Sequence, residues 1–250
     1  MGVSTDLLRQ QDAAVESAYA AGLGVPGDAF TRGEITVVER PEGHWGFTAV
    51  GASFVGGTVL CVHPELVDVA RSIDPTEHRE ALSLPNLDRL AEAAAELDLG
   101  ARVYPPSIGW ALARRRDVPS LPAGLRVELV DRDWLNERIP EGWFPNGAGE
   151  ADGSAGRSFR NLYGVALLED GEPVALAGAF ATYGMHEIGV DVLPAHQGRG
   201  LGAAAVAAAV AEILRQEAVP FYGCSPTNIR SQRTALSVGF VPVCADATIA

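Results

Sequence analysis

The chain has 250 residues, of which 47% are hydrophobic, and its 19 basic and 32 acidic residues give a formal net charge of −13. Enough apolar surface is available to offset the entropy of ordering, so the composition predicts a globular protein and excludes a disordered one. The acidic balance disfavours nucleic acid and anionic membranes as partners, because both require a basic surface. All 19 basic residues are arginine, which excludes chemistry that needs a lysine, such as a Schiff base or a P-loop.

The three cysteines, Cys61, Cys224 and Cys244, are odd in number and far apart, so the sequence indicates neither a disulfide framework nor a CxxC site. The N-terminus lacks the basic start and apolar core of a secretory signal. The longest apolar run, residues 201–214, contains Glu212 and is shorter than the roughly 20 residues that cross a bilayer. We therefore expect a cytoplasmic protein without a membrane segment.

Residues 1–118 predict a small α/β domain. Apolar periodicity predicts three helices and three strands, in chain order a helix at 7–21, strands at 34–39, 46–52 and 57–63, and helices at 64–72 and 84–97. The stretch 117–124 contains two prolines and a glycine, which disfavour regular structure and indicate a domain boundary. The role of this accessory domain stays open. It could complete an acceptor cleft, form a dimer surface, or be a degenerate copy of the second half, since VLCVHPE around Cys61 is similar to VDVLPAH before Gln197.

Residues 122–250 predict a second domain with a mixed, mostly antiparallel sheet flanked by helices. The expected order is a strand at 125–130, a helix at 131–139, a polar glycine-rich loop at 141–158, strands at 162–168, 173–182 and 186–193, a helix at 201–217, a strand at 221–224, a helix at 228–238 and a strand at 240–246. The turn residues 169–172 and 183–184 predict two hairpins, so neighbouring strands should be antiparallel.

The segment IGVDVLP-AHQGRGLG-AAAVAAAVAEIL predicts a strand, a glycine loop and a helix, in that order. Gly198, Gly200 and Gly202 allow positive φ and a close approach of the backbone to a ligand. The unpaired amides at the start of the helix favour an anion, above all a phosphate. The loop therefore predicts a phosphate-bearing ligand.

One interpretation of GRGLGA is the G-x-G-x-x-A dinucleotide fingerprint of a Rossmann unit. Only 48 residues follow Gly202, however, and no acidic residue ends the next strand, PFYGCSP, to bind a ribose. Four residues, 194–197, also separate the strand from the glycines, whereas a Rossmann turn follows its strand almost directly. These departures disfavour NAD as the ligand.

The alternative is Q-x-x-G-x-G, Gln197 to Gly202, which resembles the acyl-CoA loop of the GNAT superfamily of N-acyltransferases. The V-x-P spacing of Val192 and Pro194 supports the resemblance, as do Asn228-Ile-Arg-Ser231 and the later Gly239-Phe240, which are similar to the N-x-x-S…G-F segment of these proteins. The resemblance covers residues 122–250, about half of the chain.

The resemblance implies acetyl-CoA as co-substrate, and the residue spacing predicts no metal site. It implies that the backbone of a bulged strand, at Val190 and Val192, contacts the pantetheine arm. It also implies that Asn228 reaches the pantetheine arm or the thiol side, and that Ser231 reaches the phosphate or the arm nearby. It further implies that the pyrophosphate is bound by backbone amides of six residues: Gln197, Gly198, Arg199, Gly200, Gly202 and Ala203. Packing of the loop and N-capping by Asn228 are the structural alternatives.

Transfer to an amine requires a base, and His186 and Glu187 are adjacent candidates on the strand before the loop. Alternate residues of a strand point to opposite faces, so one of the two should point away from the site. Many GNAT proteins have a tyrosine seven residues after the Asn as proton donor, and here that position holds Ala235. Tyr222 is a weak substitute for this acid.

The resemblance implies that the loop at 141–158 helps to form the acceptor cleft. Trp143 and Phe144 are candidate substrate contacts in this loop. Its acidic residues could attract a cation: Glu141, Glu150 and Asp152. His44, His63 and His78 lack metal-ligand spacing. The sequence therefore predicts an N-acyltransferase for a small-molecule or peptide amine, and leaves a homodimer open. A non-catalytic acyl-CoA-binding sensor or interaction module of the same fold is the alternative, because the usual tyrosine is absent.

Overall fold

A computed structural model of the chain describes residues 5–41, 46–74, 77–117, 121–140, 142–149 and 161–250. The α-helices of these residues are α1 (Thr5–Leu23), α2 (Val67–Arg71), α3 (Leu84–Glu96), α4 (Arg132–Arg138), α5 (Leu201–Arg215) and α6 (Ile229–Val238). The strands are β1 (Ile35–Glu39), β2 (Ala49–Phe54), β3 (Gly57–Val62), β4 (Val103–Leu112), β5 (Leu125–Val130), β6 (Asn161–Glu169), β7 (Glu172–Thr182), β8 (Met185–Val192), β9 (Pro220–Cys224) and β10 (Phe240–Ile249).

The chain divides into two compact units that are each discontinuous in sequence. The first unit contains residues 1–11, 110–223 and 229–241, and the second contains residues 12–109, 224–228 and 242–250. The last nine residues of the chain therefore fold with its first half. The sequence boundary between domains 1–118 and 122–250 stays a prediction.

In the first unit the strand order is β9-β8-β7-β6-β5. Strands β5 to β8 are antiparallel neighbours, and β9 is parallel to β8. Two hairpin turns, at Asp170-Gly171 and Tyr183-Gly184, have positive φ at both residues, as two-residue turns between twisted strands require. Helix α4 begins at its N-cap Asp131, whose side chain accepts the backbone N–H of Trp134 at 2.8 Å.

Helix α5 covers one face of this sheet, against β6, β7 and β8. Its alanine-rich sequence permits a close approach to the strands, and eight of its residues are buried. A separate apolar cluster contains Leu135 and Ile139 from α4 and its C-cap, Phe144, and Leu176 from β7. The burial of this cluster fixes the segment after α4 against the sheet.

In the second unit the strand order is β1-β3-β2-β10, with β1 parallel to β3 and the other pairs antiparallel. Strand β3 ends in a Pro64–Leu66 3-10 turn that follows His63, just as β8 ends in a Pro194–His196 3-10 turn that follows Leu193. Helix α2 then begins at once, at Val67, without a glycine loop. Strand β1 also pairs with β3 over five residue pairs, so these two strands stay together along the whole of β1.

The predicted fold class is confirmed: the chain is a mixed α/β protein with a largely antiparallel open sheet flanked by helices. The strand β4 was not predicted, because Pro105 and Pro106 lie within it and proline cannot donate a ladder hydrogen bond. Helix 64–72 is observed as the 3-10 turn and α2. None of the helices in the described ranges is both long and apolar enough to cross a membrane.

Candidate functional site

Strands β8 and β9 separate soon after they meet. They are paired at only two positions, His186 with Pro220 and Glu187 with Phe221. Strand β8 then continues to Val192 and β9 to Cys224 without further pairing to each other. A wedge therefore opens between the two strands, with its apex at the last pair, Glu187 and Phe221.

The backbone of β8 supplies hydrogen-bonding groups to this wedge. The N–H of His186 donates to the carbonyl oxygen of Val219 at 2.9 Å, so His186 directs its backbone groups away from β7. Every second residue of a strand directs its backbone groups to the same side. The N–H and C=O groups of Ile188, Val190 and Val192 therefore face the open side. That the Val190 and Val192 backbones bind the pantetheine arm stays a prediction. The expected bulge was wrong, because β7 and β8 pair over eight positions in one unbroken register.

The glycine loop lies where β8 leads into α5. Gly198 and Gly200 have φ of 78° and 76°, and Gly200 is the N-cap of α5. A Cβ added at either glycine would meet no atom within 4 Å, whereas one at Gly202 would touch Val192 Cγ2 at 3.5 Å. The first N–H groups of a helix have no acceptor within it, so the amides of Leu201, Gly202 and Ala203 are available to a ligand. The loop thus presents amides to open space, which is the arrangement that binds phosphate.

The side chain of Gln197 ties this loop to its neighbours. Its Nε2 donates to the carbonyl oxygen of Val192 at 3.1 Å, and its Oε1 accepts from Arg230 Nη1 at 2.7 Å. Gln197 thus connects the end of β8 with the first turn of α6. Its side chain acts on loop geometry, and its backbone N–H, which the sequence predicts to bind phosphate, donates to the carbonyl oxygen of Pro194 at 3.4 Å.

The side chain of Arg199 is directed at the β6–β7 turn. Its guanidinium makes two bonds to the Glu169 carboxylate, at 2.7 and 3.2 Å, and His196 Nδ1 lies 3.0 Å from the same carboxylate. The hydrogen bond from Arg199 is the main reason that the pKa of Glu169 is below its ordinary value. The contacts of Arg199 and His196 with Glu169 thus hold the glycine loop against the end of β6, in addition to the contacts of Gln197.

Tyr222 and Ser231 form a pair between β9 and α6, with 2.8 Å between the two hydroxyl oxygens. Tyr222 is buried at 1% exposure and packs on Phe240, while Ala235 is completely buried. The methyl group of Ala235 is therefore part of the core. Many GNAT proteins have at this position the tyrosine that donates a proton to the leaving thiolate. Asn228 lies in the 224–228 segment of the other unit, where its N–H donates to the carbonyl oxygen of Ser225 at 3.0 Å.

The two candidate bases lie on opposite faces of β8. His186 shares the face of Val192, which contacts α5, and its Nδ1 lies 3.0 Å from the hydroxyl of Tyr163. Burial lowers the pKa of His186. Burial, and then the negative charge of Glu212, raise the pKa of Tyr163 to about 12. His186 is therefore a neutral, half-buried partner of a neutral tyrosine beneath α5.

Glu187 lies on the opposite face, where the segment after α4 crosses β8. Its carboxylate accepts the Thr182 hydroxyl at 2.7 Å. Further along this face, the Asp191 carboxylate accepts the N–H of Asn146 at 2.6 Å, its Nδ2 at 2.7 Å and the N–H of Gly147 at 2.8 Å. A Cβ on Gly189 would collide with the carbonyl oxygen of Asn146. This contact places Glu187 on the same face as the predicted acceptor segment.

The aromatic pair of that segment is divided between core and surface. Phe144 is 1% exposed and belongs to the apolar cluster, whereas Trp143 is 45% exposed. Their substrate role stays a prediction, and of the two only Trp143 presents a surface to a ligand. Glu141, Glu150 and Asp152 lie outside the described residues.

The structure thus brings together most of the residues that the sequence singled out, from Val190 to Ala203 with Ser231 and Tyr222. It adds four that were missed: Glu169, Gly189, Asp191 and Arg230. Their partners are about 30 to 45 residues away, so no local pattern marks them. Among the residues with described positions, no group of three His, Cys, Asp or Glu could hold a metal ion.

Comparison with known proteins adds a family and a fold. A Drosophila protein of known structure is similar over 99% of this chain and 91% of its own, with a TM-score of 0.52 and 15% identity. A GCN5-related N-acetyltransferase from Kribbella flavida is similar over 95% of both chains, with a TM-score of 0.49 and 19% identity. A GCN5-related N-acetyltransferase-like protein from Streptococcus suis is similar over 59% of this chain, with a TM-score of 0.46 and 20% identity. The similarity spans 61% of that protein's length. No curated protein matches the sequence.

The first of these likenesses supports the fold alone, because its identity is low. The family is carried by the sequence. The GNAT acetyltransferase family model matches residues 115–245, which contain the open wedge, the glycine loop and α6. That match covers more than half of the 250 residues, so the chain belongs to the GNAT acetyltransferase family.

Proposed function

We propose that the protein is an acetyl-CoA-dependent N-acyltransferase that moves an acetyl group to an amine in a ternary complex. The observation that carries this proposal is the glycine loop, with open space at Gly198 and Gly200 at the start of α5, beside the open edge of β8. The loop suits a pyrophosphate, and the edge suits an amide-containing arm that hydrogen-bonds like a strand. Acetyl-CoA contains both a pyrophosphate and such an arm, the pantetheine.

In this proposal the amides from Gly198 to Ala203 bind the pyrophosphate, and Gln197, whose N–H donates to Pro194, positions the loop. The backbone of Val190 and Val192 binds the pantetheine arm, and the predicted contacts of Asn228 and Ser231 are retained. The reaction forms a bond from the amine nitrogen to the thioester carbonyl carbon and breaks the carbon–sulfur bond. The amine loses one proton to a base, and the departing thiolate gains one.

We assign the base to Glu187 and keep His186 as a positioning residue. Glu187 shares a face of β8 with Asp191 and the acceptor segment, whereas His186 points under α5 and is paired with Tyr163. A base must come within hydrogen-bonding distance of the proton that it takes, which favours the residue on the acceptor side.

The proton for the thiolate has two sources. The hydroxyl pair of Tyr222 and Ser231 lies between β9 and α6 and is the protein donor we propose. Solvent is the second source, because a thiol of ordinary pKa near 8.5 leaves readily as a thiolate at neutral pH. The buried Ala235 excludes its own position as a donor.

The acceptor is a primary or secondary amine, on a small molecule or a peptide. Exposed Trp143 can contact the cationic form of such an amine through its ring face.

A non-catalytic acyl-CoA sensor is the second candidate, and one observation favours it. The position of the usual acid is filled by the buried methyl group of Ala235. This function needs the same loop and wedge, so only turnover separates the two candidates.

The first experiment is calorimetric titration of the protein with acetyl-CoA, with NAD as a competing ligand. Gly200→Asp places a carboxylate at the proposed phosphate site and should abolish binding. Gly171→Asp is the matched control, because Gly171 has φ of 86° and equally open space, so both variants carry the same backbone strain. Equal affinity of the two variants for acetyl-CoA would contradict the loop assignment.

The second experiment is a screen of amines with detection of the released thiol. Release that depends on the amine supports the transferase. Binding of acetyl-CoA without release for amines of every class in the screen supports the sensor.

A further inference from the structure

Strand β5 forms one edge of its sheet. It pairs with β6 from Leu125 to Val130, and no other strand of the described residues pairs with its second side. Val127 and Leu129 are 47% and 53% exposed and lie two residues apart, so they share a face. An edge strand with unpaired backbone groups and apolar side chains is a template for another strand.

The backbone groups on the open side can be assigned from the neighbouring hairpin. Glu169 and Glu172 flank a two-residue turn, so the backbone groups of Glu169 point to β7. By alternation the groups of Leu168 and Ala166 point to β5, where they are opposite Arg126 and Glu128. It follows that the open edge presents the N–H and C=O groups of Val127 and Leu129 and the C=O group of Leu125, whose N–H donates to the carbonyl oxygen of Pro122 at 3.3 Å.

We propose that β5 is the interface of a homodimer, in which β5 pairs with β5 of a second copy, antiparallel and about a two-fold axis at Val127. In this register Val127 is opposite Val127 of the other copy, and Leu125 is opposite Leu129. Val127 exchanges both backbone hydrogen bonds with Val127 of the other copy, and the N–H of Leu129 donates to the carbonyl oxygen of Leu125 of that copy, so the pairing forms a short ladder. One sheet then continues through both copies.

Charge selects this register. With the axis at Val127, Arg126 lies opposite Glu128 of the second copy, and the two-fold axis repeats the pair. These are positions without ladder hydrogen bonds between the copies, where side chains are closest. A shift of the axis to residue 126 or 128 would keep the ladder but oppose two arginines or two glutamates. Arg126 and Glu128 make no ion pair with the other described residues, so both are available to the partner.

The apolar side chains support the same arrangement. Leu125, Val127 and Leu129 from each copy form one stripe across the axis, which removes their exposed area from water. The edge strand of the other unit, β1, lacks this self-complementarity. Two-fold pairing about Val37 would place the carboxylate of Glu39 opposite Ile35. The sequence of β5 therefore fits a second copy of itself in a way that the sequence of β1 does not.

The test is the mass of the protein in solution, measured by light scattering and sedimentation over a wide concentration range. The wild type should show twice the 26.2 kDa of one chain and dissociate on dilution. Val127→Pro removes an N–H that faces the open edge and leaves the ladder to β6 intact, so it should be monomeric. Val127→Thr, which keeps the N–H and the branched side chain, is the control and should remain dimeric.

The charged pair gives a test that does not depend on a proline. Glu128→Arg opposes two arginines on each side of the axis and should shift the protein to monomer. The double variant Arg126→Glu with Glu128→Arg exchanges the charges, restores complementarity and should recover the dimer. Hydrogen exchange at the amides of Val127 and Leu129 should slow only in the dimer.

Three outcomes would overturn the proposal. The first is a wild type that stays monomeric at every concentration. The second is a dimer that survives both Val127→Pro and Glu128→Arg, which would place the interface elsewhere. The third is a charge-exchanged double variant that remains as monomeric as Glu128→Arg, which would show that the pair does not set the register.

Discussion

The Asp191 carboxylate accepts the backbone N–H of Asn146 at 2.6 Å, which joins the segment after α4 to the strand that leads into the glycine loop. The side-chain amide of Asn146 and the N–H of Gly147 donate to the same carboxylate. One side chain thus satisfies three donors of a segment without regular secondary structure. The proposed acceptor side is held on β8 itself, so the two substrates would meet on one rigid element.

Asp191→Asn should weaken this connection, because an amide presents only one acceptor oxygen to three donors. We expect the free energy of unfolding to fall by roughly 1.5–3 kcal/mol, the range for hydrogen bonds to a charged group. We also expect a higher KM for the amine with little change in acetyl-CoA affinity. Urea unfolding and steady-state kinetics measure these effects. Asp170→Asn, at a turn residue with φ of 53°, is the control. A loss of acetyl-CoA affinity as large as the rise in KM would argue against a role on the acceptor side alone.

Gly189→Ala should displace the same segment, since the added Cβ would collide with the carbonyl oxygen of Asn146, a backbone atom that cannot rotate away. We expect a loss of about 1–3 kcal/mol or more in the free energy of unfolding. Gly202→Ala is the contrasting variant, because its Cβ would make an ordinary 3.5 Å contact with Val192 Cγ2. That variant should be as stable as the wild type or more stable by up to about 1 kcal/mol, through helix propensity. Equal losses in the two variants would contradict the contact geometry.

The sequence predicted what local patterns encode. The bounds of β5 and the strand, glycine loop and helix from β8 to α5 follow from periodicity and glycine spacing, and the structure reproduces them. It could not predict β4, because Pro105 and Pro106 oppose a strand unless tertiary pairing compensates. The Asp191 contact was also missed, since its partners lie 44 and 45 residues away in a glycine-rich segment that resembles an exposed loop. The choice between His186 and Glu187 likewise needed the positions of α5 and Asn146, which no local pattern gives.

Asp246 should make the protein's stability depend on pH. Its carboxylate accepts the Tyr19 hydroxyl inside the second unit, and burial raises the pKa of Asp246 above its ordinary value of 3.8. A raised pKa means that the folded state favours the protonated acid, so the stabilisation is present below pH 3.8 and is lost as the pH rises through the folded value. Burial also raises the pKa of Asp12 and Glu16, and it raises the pKa of the Cys244 thiol, which the negative charge of Asp246 raises further.

Asp246→Asn cannot ionise and keeps an oxygen that accepts the Tyr19 hydroxyl. We expect it to be more stable than the wild type at neutral pH, with a difference that shrinks on acidification. Urea unfolding at a series of pH values measures this difference, with Asp88→Asn on the exposed side of α3 as the control. A variant that is less stable than the wild type at neutral pH would mean that the ionised carboxylate is favourably solvated in the fold.

Glu187→Gln should separate chemistry from binding. If Glu187 is the base on the acceptor side, its amide cannot take a proton, and kcat should fall by about 100- to 10,000-fold. The affinity for acetyl-CoA should stay unchanged, because the carboxylate lies on the face of β8 that also contacts Asn146, away from the glycine loop. Thiol release at saturating amine and calorimetry with acetyl-CoA measure the two effects separately.

His186→Gln is the matched comparison on the other face of the strand. Its amide oxygen can still accept the Tyr163 hydroxyl, so the pair beneath α5 should persist and kcat should fall far less than in Glu187→Gln. If His186 were the base, its rate profile would show an acidic limb below the ordinary histidine pKa of 6.5, because burial lowers the pKa of this side chain. A larger loss in His186→Gln than in Glu187→Gln, together with such a limb in the wild type, would move the base to the face beneath α5.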